Sequence, residues 1–241
     1  MPDLSTFPDI GRANRQNASE LWRIAAAQHG VITRRQLQDA GLTSDEIESR
    51  IARGRLHRTW RGVYAIGRPQ LTVRGWWTAA VLACGPHALL SHDSAAALWG
   101  IRAMKESATR EGARPGDIHL SVVGSSSRSR AGVHVYRRRE LAPEDRALHD
   151  GIPVTSPART LIDLGSRLNE RQVEAAVNAA DRLGLIDPES LRFTVDARRG
   201  CRGVSTLRKL LDRRTFSLTD SELERRFMRL VARAGLPRPL T

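Results

Sequence analysis

Residues 18–67, ASELWRIAAAQHGVITRRQLQDAGLTSDEIESRIARGRLHRTWRGVYAIG, constrain the fold more than any other stretch. Leu21, Ile24 and Ala25 recur at helical spacing, so a first helix is expected from near Ser19 to Gln28, ended at His29-Gly30. Thr33 is placed to N-cap a second helix, Arg34 to Ala40, which Gly41 terminates. Thr43-Ser44-Asp45-Glu46 has the spacing of a capping box and opens a third helix to Arg53, with Ile47 and Ile51 inward. Arg55–Trp60 and Val63–Ile66 then read as two strands about a turn at Arg61-Gly62. Three short helices followed by a two-stranded ribbon form a winged helix-turn-helix. The third helix is the one that crosses a DNA major groove.

The charge supports a polyanionic partner. The chain has 241 residues, a formal net charge of +13 and a pI near 11.3. Only Lys105 and Lys209 are lysines, so part of this excess follows from a general Arg bias, and the distribution says more than the sum. From Arg50 to Arg74 there are seven arginines and no acid. Further clusters are Arg128, Arg130 and Arg137–Arg139, then Arg198, Arg199, Arg202, Arg208, Lys209, Arg213 and Arg214. The candidate DNA-binding residues are Arg34 and Arg35 at the start of helix two and Arg50 and Arg53 on the outer face of helix three. Arg55, His57, Arg58 and Arg61 complete the set in the wing. Asp45, Glu46 and Glu48 stand at the leading end of helix three, where carboxylates repel phosphate although Glu can accept from cytosine. Protein docking by the same module is therefore the alternative to DNA contact.

Residues 1–17 read as a disordered leader, polar and Pro-broken, without the apolar segment of a signal peptide. The apolar run WWTAAVLAC is too short to span a bilayer, so a cytoplasmic protein without membrane association is expected. Residues 74–104 read as two helices broken at Gly85-Pro86, with Ser91 capping a short third. Ile118–Val123 and Val133–Arg137 read as a hairpin with a basic loop, and Ile152-Pro153-Val154 as an edge or terminal strand. Ser156-Pro157, Asn169-x-x-Gln172, Asp187-Pro188, Val204 and Thr219-x-x-Glu222 each open a later helix. The fold class expected is α+β, mostly helical: a winged helix-turn-helix at 18–74, then a mixed α/β domain with a small sheet at 75–218. Residues 219–241 form a final helical segment.

Chemistry is weakly signalled. Ser91-His92-Asp93 are adjacent, whereas a triad converges from separated positions. His87 and His92 lack further nearby metal ligands. Asp220, Glu222 and Glu224 are explained as well by helix capping as by magnesium binding. Cys84 and Cys201 are too few for a disulfide framework and read as reduced, buried or half-buried thiols. No catalytic residue, metal or cofactor is expected.

The segments HGVITRRQLQDAGLTSDEIESRIARGRLHRTWRGVYAIG, WTAAVLACGPHALLSHDSAAALWG, DGIPVTSPARTLIDL and TDSELERRFMRLVARAGLPRP resemble the AbiEi-type antitoxins of bacterial type IV toxin–antitoxin systems, actinobacterial members in particular. The resemblance covers most of residues 20–238. It implies a transcription regulator that represses its own operon by binding double-stranded DNA, and a C-terminal domain that counteracts a nucleotidyltransferase-like toxin. Reading of an inverted repeat would imply a homodimer or two copies per site. Longer relatives continue into a Vsr-like endonuclease-like domain whose leading acid would match Glu224. The chain stops at Thr241 before the acids that would follow, so no nuclease activity is expected. The alternatives are a toxin-neutralising protein without strong DNA binding and a truncated relic of such an endonuclease.

Overall fold

A computed structural model describes residues 12–103, 116–124, 130–198, 200, 202–212, 227, 230, 231, 233 and 234. The chain divides into two compact units, Met1–Thr160 and Leu161–Thr241, the division falling inside the stretch 75–218 read as one domain.

The first unit begins with α1 (Arg12–Ala27), β1 (Val31–Thr33), α2 (Arg34–Asp39), α3 (Ser44–Ala52), β2 (Leu56–Trp60) and β3 (Val63–Ile66). This is the expected winged helix-turn-helix with two corrections. Helix α1 starts at Arg12, so residues 12–17 are helical rather than part of a leader. The ribbon is a three-stranded sheet ordered β1-β3-β2, because Val31-Ile32-Thr33 pairs antiparallel with Ala65, Tyr64 and Val63. Thr33 and Thr43 both close full capping boxes, with Gln36 and Glu46 respectively.

Strand alternation divides the apolar residues between two cores. Ile32, Tyr64 and Ile66 pack with Leu21, Ala25, Leu37, Leu42 and Ile47 among the helices. Val31, Val63 and Ala65 point the other way, onto Leu71 and Ala79. Ala79 belongs to α4 (Val73–Cys84), whose opposite side carries Trp77, Ala80 and Val81 into the core of a second sheet. A helix buried on two sides must be apolar nearly all round, which explains why this is the most hydrophobic stretch of the chain.

The second sheet is five-stranded: β4 (Ala88–Leu90), β5 (Ile118–Val123), β6 (Val133–Arg138), β7 (Arg146–His149) and β8 (Ile152–Thr155), in the order β6-β5-β4-β8-β7. Helix α5 (His92–Leu98) follows β4 directly. Three expectations are corrected here. Ala88-Leu89-Leu90 is the central strand, not a helix; burial between two neighbours overrides the helical preference of Ala and Leu. Ser91 holds the N-cap position of α5, but its hydroxyl makes no cap bond and lies 2.9 Å from His92 Nδ1 instead. Strands β5 and β6 run parallel, Ile118 opposite Val133 through Val123 opposite Arg138, and form no hairpin. The nine residues between them can return the chain along a six-residue strand, since extended chain spans up to about 3.5 Å per residue.

Strand β8 is also not an edge, because β7 covers it antiparallel with Leu148 opposite Pro153. Ser156 N donates to Asp145 O at 2.8 Å, and counting back by alternation places Pro153 at a non-hydrogen-bonded position of that ladder. Its missing N–H is therefore not required by β7.

Helix α6 (Pro157–Gly165) starts with Ser156 Oγ accepting from Arg159 N, and α7 (Glu170–Arg182), α8 (Pro188–Asp196) and α9 (Val204–Leu210) follow. Asn169–Gln172 forms a capping box and Asp187 caps α8 ahead of Pro188, as their spacing indicates. In this second unit Gly165 and Gly203 bring two backbone segments together, and Thr206 Oγ1 donates to Gly165 O at 3.1 Å. The helix expected from Thr219 falls mostly outside the described residues. Among the described residues no helix is long and apolar enough to cross a membrane.

Candidate nucleic-acid interface

A groove between α3 and the wing gathers three of the candidate residues, Arg34, Arg58 and Arg61. It encloses about 620 Å³ and is lined by Arg34, Glu48, Arg58, Thr59, Trp60, Arg61, Gly62 and Tyr64. The wing is held in place by ordinary packing. A bulge between Arg58 and Trp60 shifts the β2 register, Thr59 Oγ1 donates to Val63 O at 3.0 Å, and Trp60 meets Trp76 edge to face at 5.6 Å.

The candidate cations fall into two groups. Arg35, Arg53, Arg58 and Arg61 are exposed, Arg53 at the C-cap of α3 and Arg61 in the wing turn. Arg35 lies 3.7 Å from Asp39, an exposed pair of little energetic consequence. Arg34, Arg50, Arg55 and His57 are half-buried. Arg50 does not project from the outer face of α3. It turns back to donate to Glu46 O at 3.3 Å, and burial holds its pKa below the ordinary arginine value. His57 Nε2 is enclosed without a hydrogen-bond partner, so that nitrogen is not offered to a phosphate.

The acids of α3, two in its first turn and Glu48 at its centre, serve different purposes. Glu46 closes the capping box, and the Thr43 backbone N–H beside it keeps its carboxyl below the ordinary range. Glu48 lies between two guanidinium groups: Arg34 Nη1 donates to Oε1 at 3.1 Å and Arg58 Nη2 to Oε2 at 2.6 Å. Arg34 also donates to Tyr64 Oη at 3.2 Å. These bonds, led by that from Arg34, hold Glu48 below the usual carboxylate range. The pairing joins residues 14 and 10 positions apart, which no local spacing rule reveals.

Thr43→Ala should destabilise the helix-turn-helix by about 1 kcal/mol in urea unfolding. The Glu46 half of the box carries a pH signature. A depressed folded pKa contributes stability that is complete above the ordinary glutamate range and is lost as pH falls through the lower folded value. The stability difference between wild type and Glu46→Ala should therefore shrink on acidification below that range, whereas Thr43→Ala keeps the backbone N–H that bonds the carboxylate.

Other basic clusters are partly consumed internally. Arg208 Nη2 donates to the carbonyls of Val195, Asp196 and Arg198 at 3.2, 3.2 and 3.1 Å, closing the C-terminal end of α8, and Lys209 pairs with Glu170 at 3.1 Å. Arg130 donates to Ala83 O at 3.0 Å, while Arg137 and Arg139 are exposed. Arg128, Arg199, Arg213, Arg214, Asp220, Glu222, Glu224 and Cys201 lie outside the described residues. Cys84 is half-buried, and burial raises its thiol pKa.

Ser91, His92 and His119 are buried, with the His92 ring stacked on Tyr136 at 3.7 Å and Tyr136 Oη 3.1 Å from His119 Nδ1. Asp93 stands 3.9 Å from both Arg102 and His119. The arrangement is a packed stack of rings at the strand-to-helix turn. Among the described residues no group of three or more His, Cys, Asp or Glu could hold a metal ion.

Comparison with known proteins places both halves of the chain. A family model described as the AbiEi antitoxin C-terminal domain matches residues 83–213. Another, described as a transcriptional regulator, AbiEi antitoxin, matches residues 20–67, the helix-turn-helix and its wing. Two uncharacterized proteins of Mycobacterium tuberculosis, from strains CDC 1551 / Oshkosh and ATCC 25618 / H37Rv, are each 29% identical over 184 residues, covering 75% of this chain. The aligned region spans 63% of the length of those relatives.

Proposed function

The chain belongs to the AbiEi antitoxin family, and from that premise we propose that it is an antitoxin-like autorepressor that binds double-stranded DNA in the promoter of its own operon. The observation that carries this reading is the groove between α3 and the wing, bordered by Arg34, Arg58 and Arg61, with Arg35 and Arg53 exposed on the same helix-turn-helix. Arg35, Arg53 and Arg61 contact phosphates, and Arg58 reaches into the groove. Half-buried Arg34, Arg50, Arg55 and His57 position these groups. The role contains no catalytic step and calls for no cofactor. Recognition of an inverted repeat brings two copies onto one site.

A gel shift with the duplex upstream of its own gene tests the reading. A retarded complex is expected at low salt, and Arg53→Ala with Arg61→Ala should weaken it tenfold or more. No retarded complex at low salt, or equal affinity of the double variant, would overturn it.

A second role is compatible with the first. The C-terminal family match and the exposed Leu183 and Phe193, 53% and 75% accessible, support a protein-binding surface for a nucleotidyltransferase-like toxin. Co-purification with the product of a neighbouring nucleotidyltransferase-like gene, lost in Phe193→Asp, is the expected result. Retention by Phe193→Asp would remove this surface from consideration.

A further inference from the structure

The outward face of α3 differs from that of a simple cationic reader. Ile47 is buried and Glu46, Ser49, Arg50 and Ile51 are half-buried, which leaves Ser44, Asp45, Glu48 and Ala52 exposed. The second helix of a helix-turn-helix offers its exposed residues to the base edges of the major groove. On this protein those edges meet a carboxylate at the centre of the helix. Glu48 is also fixed in place, its two oxygens taken by Arg34 and Arg58 at 3.1 and 2.6 Å while its side chain stays 48% accessible. Each carboxylate oxygen carries two lone pairs, so each keeps an acceptor position beyond the bond to arginine.

Base chemistry narrows what such a group can read. Guanine and thymine present only acceptors in the major groove, which repel a carboxylate. Adenine couples its N6 donor to the N7 acceptor. Cytosine offers the N4 donor with no acceptor on its edge, and it is the partner that Glu accepts from. Arg58, 60% accessible and with donors left over, stands next to Glu48 as the complementary group for O6 and N7 of the paired guanine.

We propose that Glu48, clamped between Arg34 and Arg58, selects a cytosine on the strand read by α3, and that Arg58 completes the readout at the guanine of the same pair. This rests on the DNA-binding reading above. The clamp has a second consequence. Two guanidinium groups engaged by an internal carboxylate are withheld from phosphate, which lowers affinity for arbitrary sequence relative to the preferred one.

The test is selection of bound duplexes from a randomised pool by the full chain, by Glu48→Gln and by Glu48→Ala, with thermal unfolding of each protein measured alongside. Wild type should require cytosine at one position of the bound site. Glu48→Gln should move that preference to adenine, because a carboxamide both accepts from N6 and donates to N7. Glu48→Ala should flatten the position, a loss of roughly tenfold in discrimination, with flanking positions unchanged. Exposed ion pairs contribute at most about 1 kcal/mol each, so both variants should remain folded with only a slightly lowered unfolding midpoint. Identical preferences in all three proteins would overturn the role of Glu48 while leaving DNA binding intact. So would loss of all enrichment in folded variants, since that is not selection of one base. A wild-type protein that enriches no sequence would overturn the DNA-binding reading itself, and this proposal with it.

Discussion

Asp145→Ala is expected to destabilise the first unit by about 3–5 kcal/mol, the largest effect of any single substitution considered. Asp145 and Arg159 are both almost wholly buried, at 3% and 4% accessibility, with the carboxylate 3.6 Å from the guanidinium. Asp145 closes the short 3-10 turn Pro143–Asp145 ahead of β7, and its carbonyl accepts from Ser156 N at the entry to α6. Removing the carboxylate takes one charged partner from a guanidinium held in a low-dielectric site. The desolvation of a buried charge is then no longer offset by their attraction. Urea unfolding of wild type and variant measures this. A cost under about 1 kcal/mol for Asp145→Ala, the range of exposed pairs, would show that solvent reaches the site.

Gly203→Ala is expected to cost about 2–5 kcal/mol and to disrupt the second unit. Gly203 has φ +91°, a conformation that costs an L-residue about 1–2 kcal/mol. A Cβ there would stand 2.0 Å from Ile162 O and 2.7 Å from Ser166 N. Both are backbone atoms of the α6 end and cannot swing aside, and overpacking of this kind adds about 1–3 kcal/mol. Gly184→Ala separates the two contributions. Gly184 has φ +68° but nothing within 4 Å of its Cβ, so only the conformational part applies. Thermal unfolding should rank Gly203→Ala well below Gly184→Ala. Equal losses would mean that the close approach at Gly165 is readily relaxed.

How much of this the sequence announces depends on the range over which each feature is encoded. Caps are encoded within four residues, and the boxes at Thr43–Glu46 and Asn169–Gln172 and the cap at Asp187 are all where their spacing puts them. The helix-turn-helix follows from those caps and from Gly41. Strands of three residues carry no period, so β1 and β4 were invisible as strands until their partners were known. Strand direction is likewise not local: β5 and β6 alternate in the same way whether parallel or antiparallel. The candidate site divides along the same line. That arginines concentrate on the wing is plain in the chain. That Arg50 turns inward, Arg208 closes α8, and Glu48 engages both Arg34 and Arg58 depends on neighbours that only the fold supplies.

A helix-turn-helix that holds duplex DNA through exposed arginines of α3 and the wing must bind it in a salt-dependent way. The logarithm of affinity for the upstream duplex should fall linearly with the logarithm of salt concentration, by about 0.9 for each phosphate neutralised. Arg53→Ala with Arg61→Ala should make that slope shallower by about 1.8 and weaken all duplexes alike. An affinity insensitive to salt, or an unchanged slope in the double variant, would exclude phosphate contact by these arginines.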